Sequence, residues 1–366
     1  MSQILLVTGA NGMIGSELTK KFIQEETFDK IVALTHENKN SLPDETKKFK
    51  VLKSNIVKAR LGLSLKDYKD LTKEVTAIVH CAANTKFSLP LNEARKINFQ
   101  GTVNVCTFAQ KCRNLEKFAF VSTAYVAGKR IGMVKESDLR HNEGFINTYE
   151  QSKYEAEVYL DELKDKLPMN IYRLSTVVGR ASDGNVSNFN AVHLALKLYY
   201  HNLAPFLPAS EGSYVDFIPL EFAISSIYHI FCKRFLSGFT YHIVSGKENS
   251  LNVNDLINQT YEVFTEFNPG WSRKSIEKPS LVDIPTFQLI SKSANELNNK
   301  VLVQVIKSIE TFAPQLLYPK EFDRSNSNTV LKEAKIEVTP LNQYYRKIVE
   351  YCLLTNWGRK PYIPVQ

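Results

Sequence analysis

Residues 8–15 read TGANGMIG, with Gly9, Gly12 and Gly15 recurring every third position. Before them stands a short apolar run, QILLVT (3–8), and after them an amphipathic helical pattern continues over 16–26. That context makes a loose glycine pattern specific. Such glycines allow a tight turn, close backbone approach to a pyrophosphate, and a helix packed near its strand, with the phosphates over the helix N-terminus. A dinucleotide site is therefore expected at the chain's start.

The same rhythm continues outward. IVALT (31–35), AIVHCAA (77–83) and KFAFVST (117–123) read as further strands, each of the last two following a plausible helix. Strands alternating with helices imply an α/β, Rossmann-type doubly wound parallel sheet, whose ligands bind at the carboxyl ends of the strands. Those ends are Gly9–Gly15, Ala82–Asn84 and Ser122–Ala124. NAD-binding folds usually close the second strand with an acid for the ribose 2′-hydroxyl. Here LTHEN places Thr35 at that position, then His36 and Glu37, with Lys39 close behind. This neutral-to-basic setting favours NADP(H), with NAD(H) as the alternative.

Two tyrosine–lysine pairs share a spacing of four: Tyr125 and Lys129 in YVAGK, and Tyr149 and Lys153 in YEQSK. Gly128 interrupts the first. The second opens YEQSKYEAEVYLDELKDKL, rich in helix formers without glycine or proline, so its members are neighbours on one helical face. A phenol with a pKa near ~10 is a poor acid–base catalyst at neutral pH. An adjacent ammonium and the charge of an oxidised nicotinamide would favour the phenolate, and Lys153 could hydrogen-bond the ribose hydroxyls. Ser122 or Thr123, at a strand end, could donate to a substrate oxygen where negative charge develops.

Composition leaves this enzyme reading open and narrows the others. The chain of 366 residues carries a net charge of +8, but its lysines are spread without a basic block, so no nucleic-acid partner is expected. Cys81, Cys106, Cys112, Cys232 and Cys352 are scattered, without CxxC, as expected of buried free thiols. His193, His201 and Asp216 lack ligand spacing, so no metal is expected. With no signal peptide or transmembrane run, the expectation is a cytoplasmic protein. WSRKSIEK (271–278) is a local basic cluster.

Taken together, TGANGMIG, HCAAN (80–84), VSTAYVAG (121–128) and TYEQSK (148–153) resemble the extended short-chain dehydrogenase/reductase superfamily. The resemblance implies Thr123, Tyr149 and Lys153 as the catalytic triad. Along the cofactor it implies Thr8, Gly9, Asn11, Gly12, Met13, Ile14 and Gly15 at the first turn, and Thr35, His36, Asn55 and Ile56 further on. It also implies Ala82, Ala83, Asn84 and Asn98, with Leu174 and Val177 beside the nicotinamide and Tyr149 and Lys153 completing the set. Lys86, Phe87, Ser122 and Thr123 would face the substrate. KSNIVKARLGLS (53–64), CAANTKFSLPL (81–91) and YVDFIPLEFAISSI (214–227) further resemble the thioester reductase and fatty acyl-CoA reductase (male-sterility-like) branch. Two departures stand out: Asn55 replaces that branch's usual aspartate near the adenine, and His36 the arginine commonly placed for the 2′-phosphate.

After IYRLSTVVG (171–179) the rhythm loosens, and from about residue 250 the chain reads as mostly helical. The expected division is a Rossmann domain over 1–180, rejoined by segments near 214–245, and a smaller, mostly helical substrate domain from 181–213 and 246–366. The implied function is NADP(H)-dependent reduction of an acyl thioester, on coenzyme A or an acidic phosphopantetheinylated carrier protein, to an aldehyde and then optionally an alcohol. The competing readings are a sugar-nucleotide epimerase or dehydratase, a 3β-hydroxysteroid-type alcohol dehydrogenase, and a non-enzymatic redox-sensing module. That last reading has no need of the Tyr149–Lys153 pair.

Overall fold

A computed structural model describes residues 2–36, 41–210, 212–271, 277–296, 300–310 and 313–361. Its centre is a parallel sheet of seven strands: β1 (Ile4–Thr8), β2 (Lys30–Thr35), β3 (Phe49–Lys53), β4 (Ala77–His80), β5 (Lys117–Thr123), β6 (Met169–Leu174) and β7 (Thr240–Ile243). Their order is β7-β6-β5-β4-β1-β2-β3, reversing direction on either side of β1. Register brings Thr8 opposite both Leu34 and His80, and Thr123 opposite Leu174, so the carboxyl ends form one rim.

Every residue of β1 is buried, as a strand with helices on both faces requires. The strand's alternation divides them: Leu5 and Val7 join the core on one face, and Ile4 and Leu6 the core on the other. Helices α1 (Met13–Gln24) and α2 (Leu220–Lys233) cover the first face, and Phe22, Phe231 and Phe28 interlock there.

The region after residue 250 is largely helical, including Val253–Phe267, Ile284–Glu296 and Tyr345–Leu354. Its core, with Val253, Phe264, Tyr344 and Ile348, also takes in Val178 and Phe217. One stretch departs from the expected division. Lys320–Phe322 pairs in parallel with Gly132–Val134, and Leu331 and Val338 enter the core on the β1 face. Residues 320–338 therefore lie with the nucleotide-binding unit. Buried polar partners draw them there: Glu136 accepts from the backbone of Asn326, at 2.6 Å, and from the Ser327 hydroxyl, also at 2.6 Å. Among the described residues, no helix is long and apolar enough to cross a membrane.

Candidate active site

The first turn is shaped by what it cannot contain. Gly9 has φ +66°, and a Cβ there would lie 2.5 Å from the backbone nitrogen of Ala82. A Cβ on Gly15 would lie 2.2 Å from the carbonyl oxygen of Gly9. Gly12 caps α1 without a side-chain hydrogen bond, leaving the first-turn N–H groups of Met13, Ile14 and Gly15 for an anion. The cradle thus fits a dinucleotide pyrophosphate. Gly15→Ala should force the turn open and weaken NAD(P)H binding about ten- to hundredfold in a fluorescence titration. Unchanged affinity would remove the turn from the cofactor site.

Thr8 and Asn98 act beneath this rim. The Thr8 hydroxyl lies 2.6 Å from Nδ1 of His80, whose Nε2 lies 3.1 Å from the hydroxyl of Thr102. Burial pushes His80 down to about 3, so the ring is neutral. Asn98 sits in a π-helical turn, Lys96–Gln100, of the kind that often marks functional sites. Its side chain accepts from Asn84 N at 2.8 Å and donates to Asn84 O at 3.0 Å and Ser152 Oγ at 2.9 Å. The loop carrying Ala82, Ala83 and Asn84 is thereby tied to the helix that carries Tyr149.

At the end of β2, Thr35 is buried and its carbonyl accepts from Ser54 N at 2.8 Å. Nε2 of His36 meets Nδ2 of Asn55 at 3.3 Å, and Oδ1 of Asn55 accepts from Val57 N. Arg60, Leu61 and Gly62 are consecutively left-handed. Each non-glycine residue in that conformation costs about 1–2 kcal/mol. Leu61 offsets this by burying its side chain and accepting from Asn55 N at 2.8 Å. Ile56 packs where a Gly101 side chain would otherwise stand. Glu37 and Lys39 lie outside the described residues, as does the 272–276 part of the WSRKSIEK cluster.

The second tyrosine–lysine pair lies at this rim. Helix α3 (Thr148–Asp161) begins at Asn147, whose Oδ1 accepts from Glu150 N at 3.0 Å. Tyr149 then packs its ring on Phe87, with centroids 5.7 Å apart, and its hydroxyl lies near that of Thr123. Nζ of Lys153 donates to Val121 O at 2.8 Å and stands 3.8 Å from the ring centre of Phe120. Lys86 is exposed, and its N–H donates to Oδ1 of Asn84. Leu174 and Val177 are buried at the end of β6 and just beyond it.

The electrostatics differ from the sequence expectation. Burial pushes the Tyr149 phenol above its ordinary value, the Glu150 carboxylate adds to this, and the nearby Thr123 hydroxyl only partly offsets them. Burial also pushes Lys153 down to about 7, with Glu157 opposing. Desolvation therefore outweighs any help that the ammonium offers the phenolate.

Ser122 does not join the pair. Neighbours on a strand point to opposite faces, and its hydroxyl donates instead to the buried carboxylate of Glu157. Tyr125 and Lys129 separate: the Tyr125 hydroxyl accepts from Thr176, while Lys129 stands over the ring of Tyr318. Gly128, at φ +57°, ends the intervening turn.

His193 is a buried cap, hydrogen-bonded with Asn190 and with the carbonyl of Val178. His201 packs on Tyr200 and Trp357. Asp216 accepts from Ser245 N and Gly246 N. Among the described residues, no three His, Cys, Asp or Glu side chains gather as metal ligands.

Glu157 and Glu150, both buried on the helix that carries the pair, were not singled out from the sequence. Glu157 extends the face of Tyr149 and Lys153 by one more turn, a spacing that could have signalled it. Glu150 receives Gln315 from the far end of the chain, for which no sequence signal exists. A groove of about 460 Å³ is bordered by Phe145, Ile146, Phe287, Pro314, Leu317 and Tyr318.

An NAD-binding family described as "Male sterility protein" matches residues 38–227, just over half of the chain. A probable fatty acyl-CoA reductase of Arabidopsis thaliana is 22% identical over 401 residues, covering 86% of this chain and 80% of that protein. A hybrid PKS-NRPS synthetase of an Acremonium species is 26% identical over 229 residues, covering 60% of this chain; the match spans only 6% of the synthetase. Among solved structures, the terminal R domain from the myxalamid PKS-NRPS pathway superimposes with a TM-score of 0.78 at 20% identity, covering 98% of this chain and 93% of that one. The UDP-glucuronic acid 4-epimerase of Bacillus cereus, in complex with NAD, gives 0.67 at 16% identity, covering 97% and 100%. At these identities the structural likeness establishes the fold.

Proposed function

We propose, from the premise that the chain belongs to the male sterility protein family of extended short-chain dehydrogenase/reductase type, that it reduces an acyl thioester to an aldehyde. What supports this reading is the placing of Tyr149 one helical turn from Lys153, with Thr123 at the end of β5 near Tyr149 and Lys153 held by Val121 O of the same strand. The fatty acyl-CoA reductase and synthetase relatives support the choice of thioester. NADP(H) is the favoured cofactor in this reading because Thr35 and His36 stand where NAD-binding folds usually carry an acid.

When bound, the reduced nicotinamide supplies a hydride. The first turn and the start of α1 would hold its pyrophosphate, and Lys153 its ribose hydroxyls. Thr123 and Tyr149 donate to the thioester oxygen, where negative charge develops, and Tyr149 delivers the proton. One hydride and one proton thus yield a hemithioacetal, which collapses to aldehyde and free thiol. The acyl group would be presented by coenzyme A or by an acidic phosphopantetheinylated carrier, for which the net charge of +8 is suited.

The deciding experiment measures NADPH and NADH binding, then NADPH consumption with a panel of acyl-CoA thioesters while free thiol is followed. Equal loss of NADPH and gain of thiol is expected. Cofactor binding with neither signal, for acyl-CoA and carrier-bound substrates alike, would overturn the thioester reading. Tightly held NAD that copurifies and turns over a sugar nucleotide would favour the epimerase alternative.

A further inference from the structure

Phe87 stands in the loop between β4 and the helix Leu91–Arg95, and its ring packs on that of Tyr149, with centroids 5.7 Å apart and planes tilted by 32°. Both residues are only partly buried. A ring in a surface turn is ordinarily able to swing away. Here the turn is fastened along its whole length.

The turn closes through Leu89 N, which donates to Lys86 O at 3.5 Å, and through Lys86 N, which donates to Oδ1 of Asn84 at 3.0 Å. Asn98 pins its first limb, accepting from Asn84 N at 2.8 Å and donating to Asn84 O at 3.0 Å. Thr148 pins its second limb: the hydroxyl donates to Leu89 O at 2.8 Å and lies 3.4 Å from Phe87 O. Asn98 also donates to the Ser152 hydroxyl, which donates to Tyr149 O at 3.0 Å. Thr148 and Ser152 belong to α3, the helix of Tyr149, so one helical turn sets Phe87 and Tyr149 against each other.

Loop closure alone accounts for the contacts of Asn84. It does not account for an aromatic ring held partly open against the proposed acid. Apolar surface fixed beside a few polar groups is what the wall of a substrate pocket provides.

We infer that Phe87 is a specificity-determining wall of the acyl site, selecting thioesters that are unbranched at the carbon next to the carbonyl. The inference rests on the reading of Tyr149 as the acid of thioester reduction. To take the proton, the substrate oxygen must come within about 3 Å of the Tyr149 hydroxyl. The groups on the carbonyl carbon then lie alongside the neighbouring ring. The acyl arm is apolar and the thiol arm carries amides, so the acyl arm suits an aromatic wall better. A straight chain passes along that wall. A methyl branch on its first carbon would press into a ring that the anchored turn keeps from moving, and overpacking of this kind is unfavourable.

The test compares hexanoyl-CoA with its α-methyl-branched counterpart in wild type, Phe87→Ala and Thr148→Val, following NADPH loss and thiol release, with an NADPH-binding titration alongside. Wild type should favour the straight chain by roughly 10–200-fold, the range that one methylene decides in a fitted pocket. Phe87→Ala should narrow that ratio by about tenfold, whatever happens to kcat for the straight chain, with NADPH affinity unchanged. Thr148→Val keeps the ring but releases the turn, so it should narrow the ratio to a smaller extent; it also keeps the test available if Phe87→Ala does not fold. Equal losses for both substrates would mean that Phe87 only braces the Tyr149 ring, and would overturn the inference, as would a wild type that turns over both thioesters alike. A wild type that reduces neither, while still binding NADPH, would overturn the thioester reading and the inference with it.

Discussion

Replacing Tyr149 with phenylalanine is expected to lower kcat for thioester reduction by about 10²–10⁴-fold, the usual contribution of a positioned acid–base group. Affinity for NAD(P)H should stay close to that of wild type. The substitution keeps the ring and its packing on Phe87, 5.7 Å away, and removes only the hydroxyl that lies near that of Thr123. Thr123 retains its hydrogen bond from Tyr125 N at 3.2 Å, so the rim should hold its shape. Steady-state NADPH oxidation and a binding titration separate the two effects. Tyr125→Phe is the control: its hydroxyl accepts only a long hydrogen bond from Thr176, at 3.4 Å. If that variant loses as much turnover as Tyr149→Phe, the catalytic tyrosine has been misassigned.

Glu157→Ala should destabilise the protein by about 3–5 kcal/mol, because removing one partner of a buried ion pair leaves the other charge uncompensated. Arg173 is 2% exposed and Glu157 fully buried, joined at 2.8 and 2.9 Å. Arg173 also donates to the carbonyl of Asp138 at 2.8 Å, and Ser122 donates to Glu157, so the loss would disturb several elements. The same helix supplies a comparison in the half-exposed Arg95–Glu155 pair. Breaking it with Arg95→Ala should cost under about 1 kcal/mol. Denaturant unfolding of both variants decides the matter; similar costs would mean that burial does not set the strength of the Glu157 pair.

The fold was largely legible because its signals are local. Gly9, Gly12 and Gly15 announce a turn in which side chains would strike the backbone, and the apolar runs at β1, β4 and β5 announce strands covered on both faces. That Tyr149 and Lys153 share a helical face while Tyr125 and Lys129 separate was also legible, since a glycine interrupts one segment and an unbroken helical pattern runs through the other. Ser122 and Thr123 were left open by the residues alone. Strand alternation says that they point apart, but not which face meets Tyr149.

By itself, then, the sequence determined the β1–turn–α1 cradle, the parallel sheet, and the candidate pair one helical turn apart, because backbone conformation and side-chain direction follow from neighbouring residues. The tertiary structure decided which ionisable groups are buried, and so which way their protonation is pushed. Burial against Phe87 pushes Tyr149 up, burial against Phe120 and Val121 pushes Lys153 down, and the buried Glu150 accepts from Gln315, which with Lys320 arrives from the C-terminal half. The return of residues 320–338 to the nucleotide-binding unit was decided in the same way, by the buried acceptor Glu136. Desolvation depends on whatever covers a group in space, and residues so distant along the chain carry no local pattern that announces their meeting.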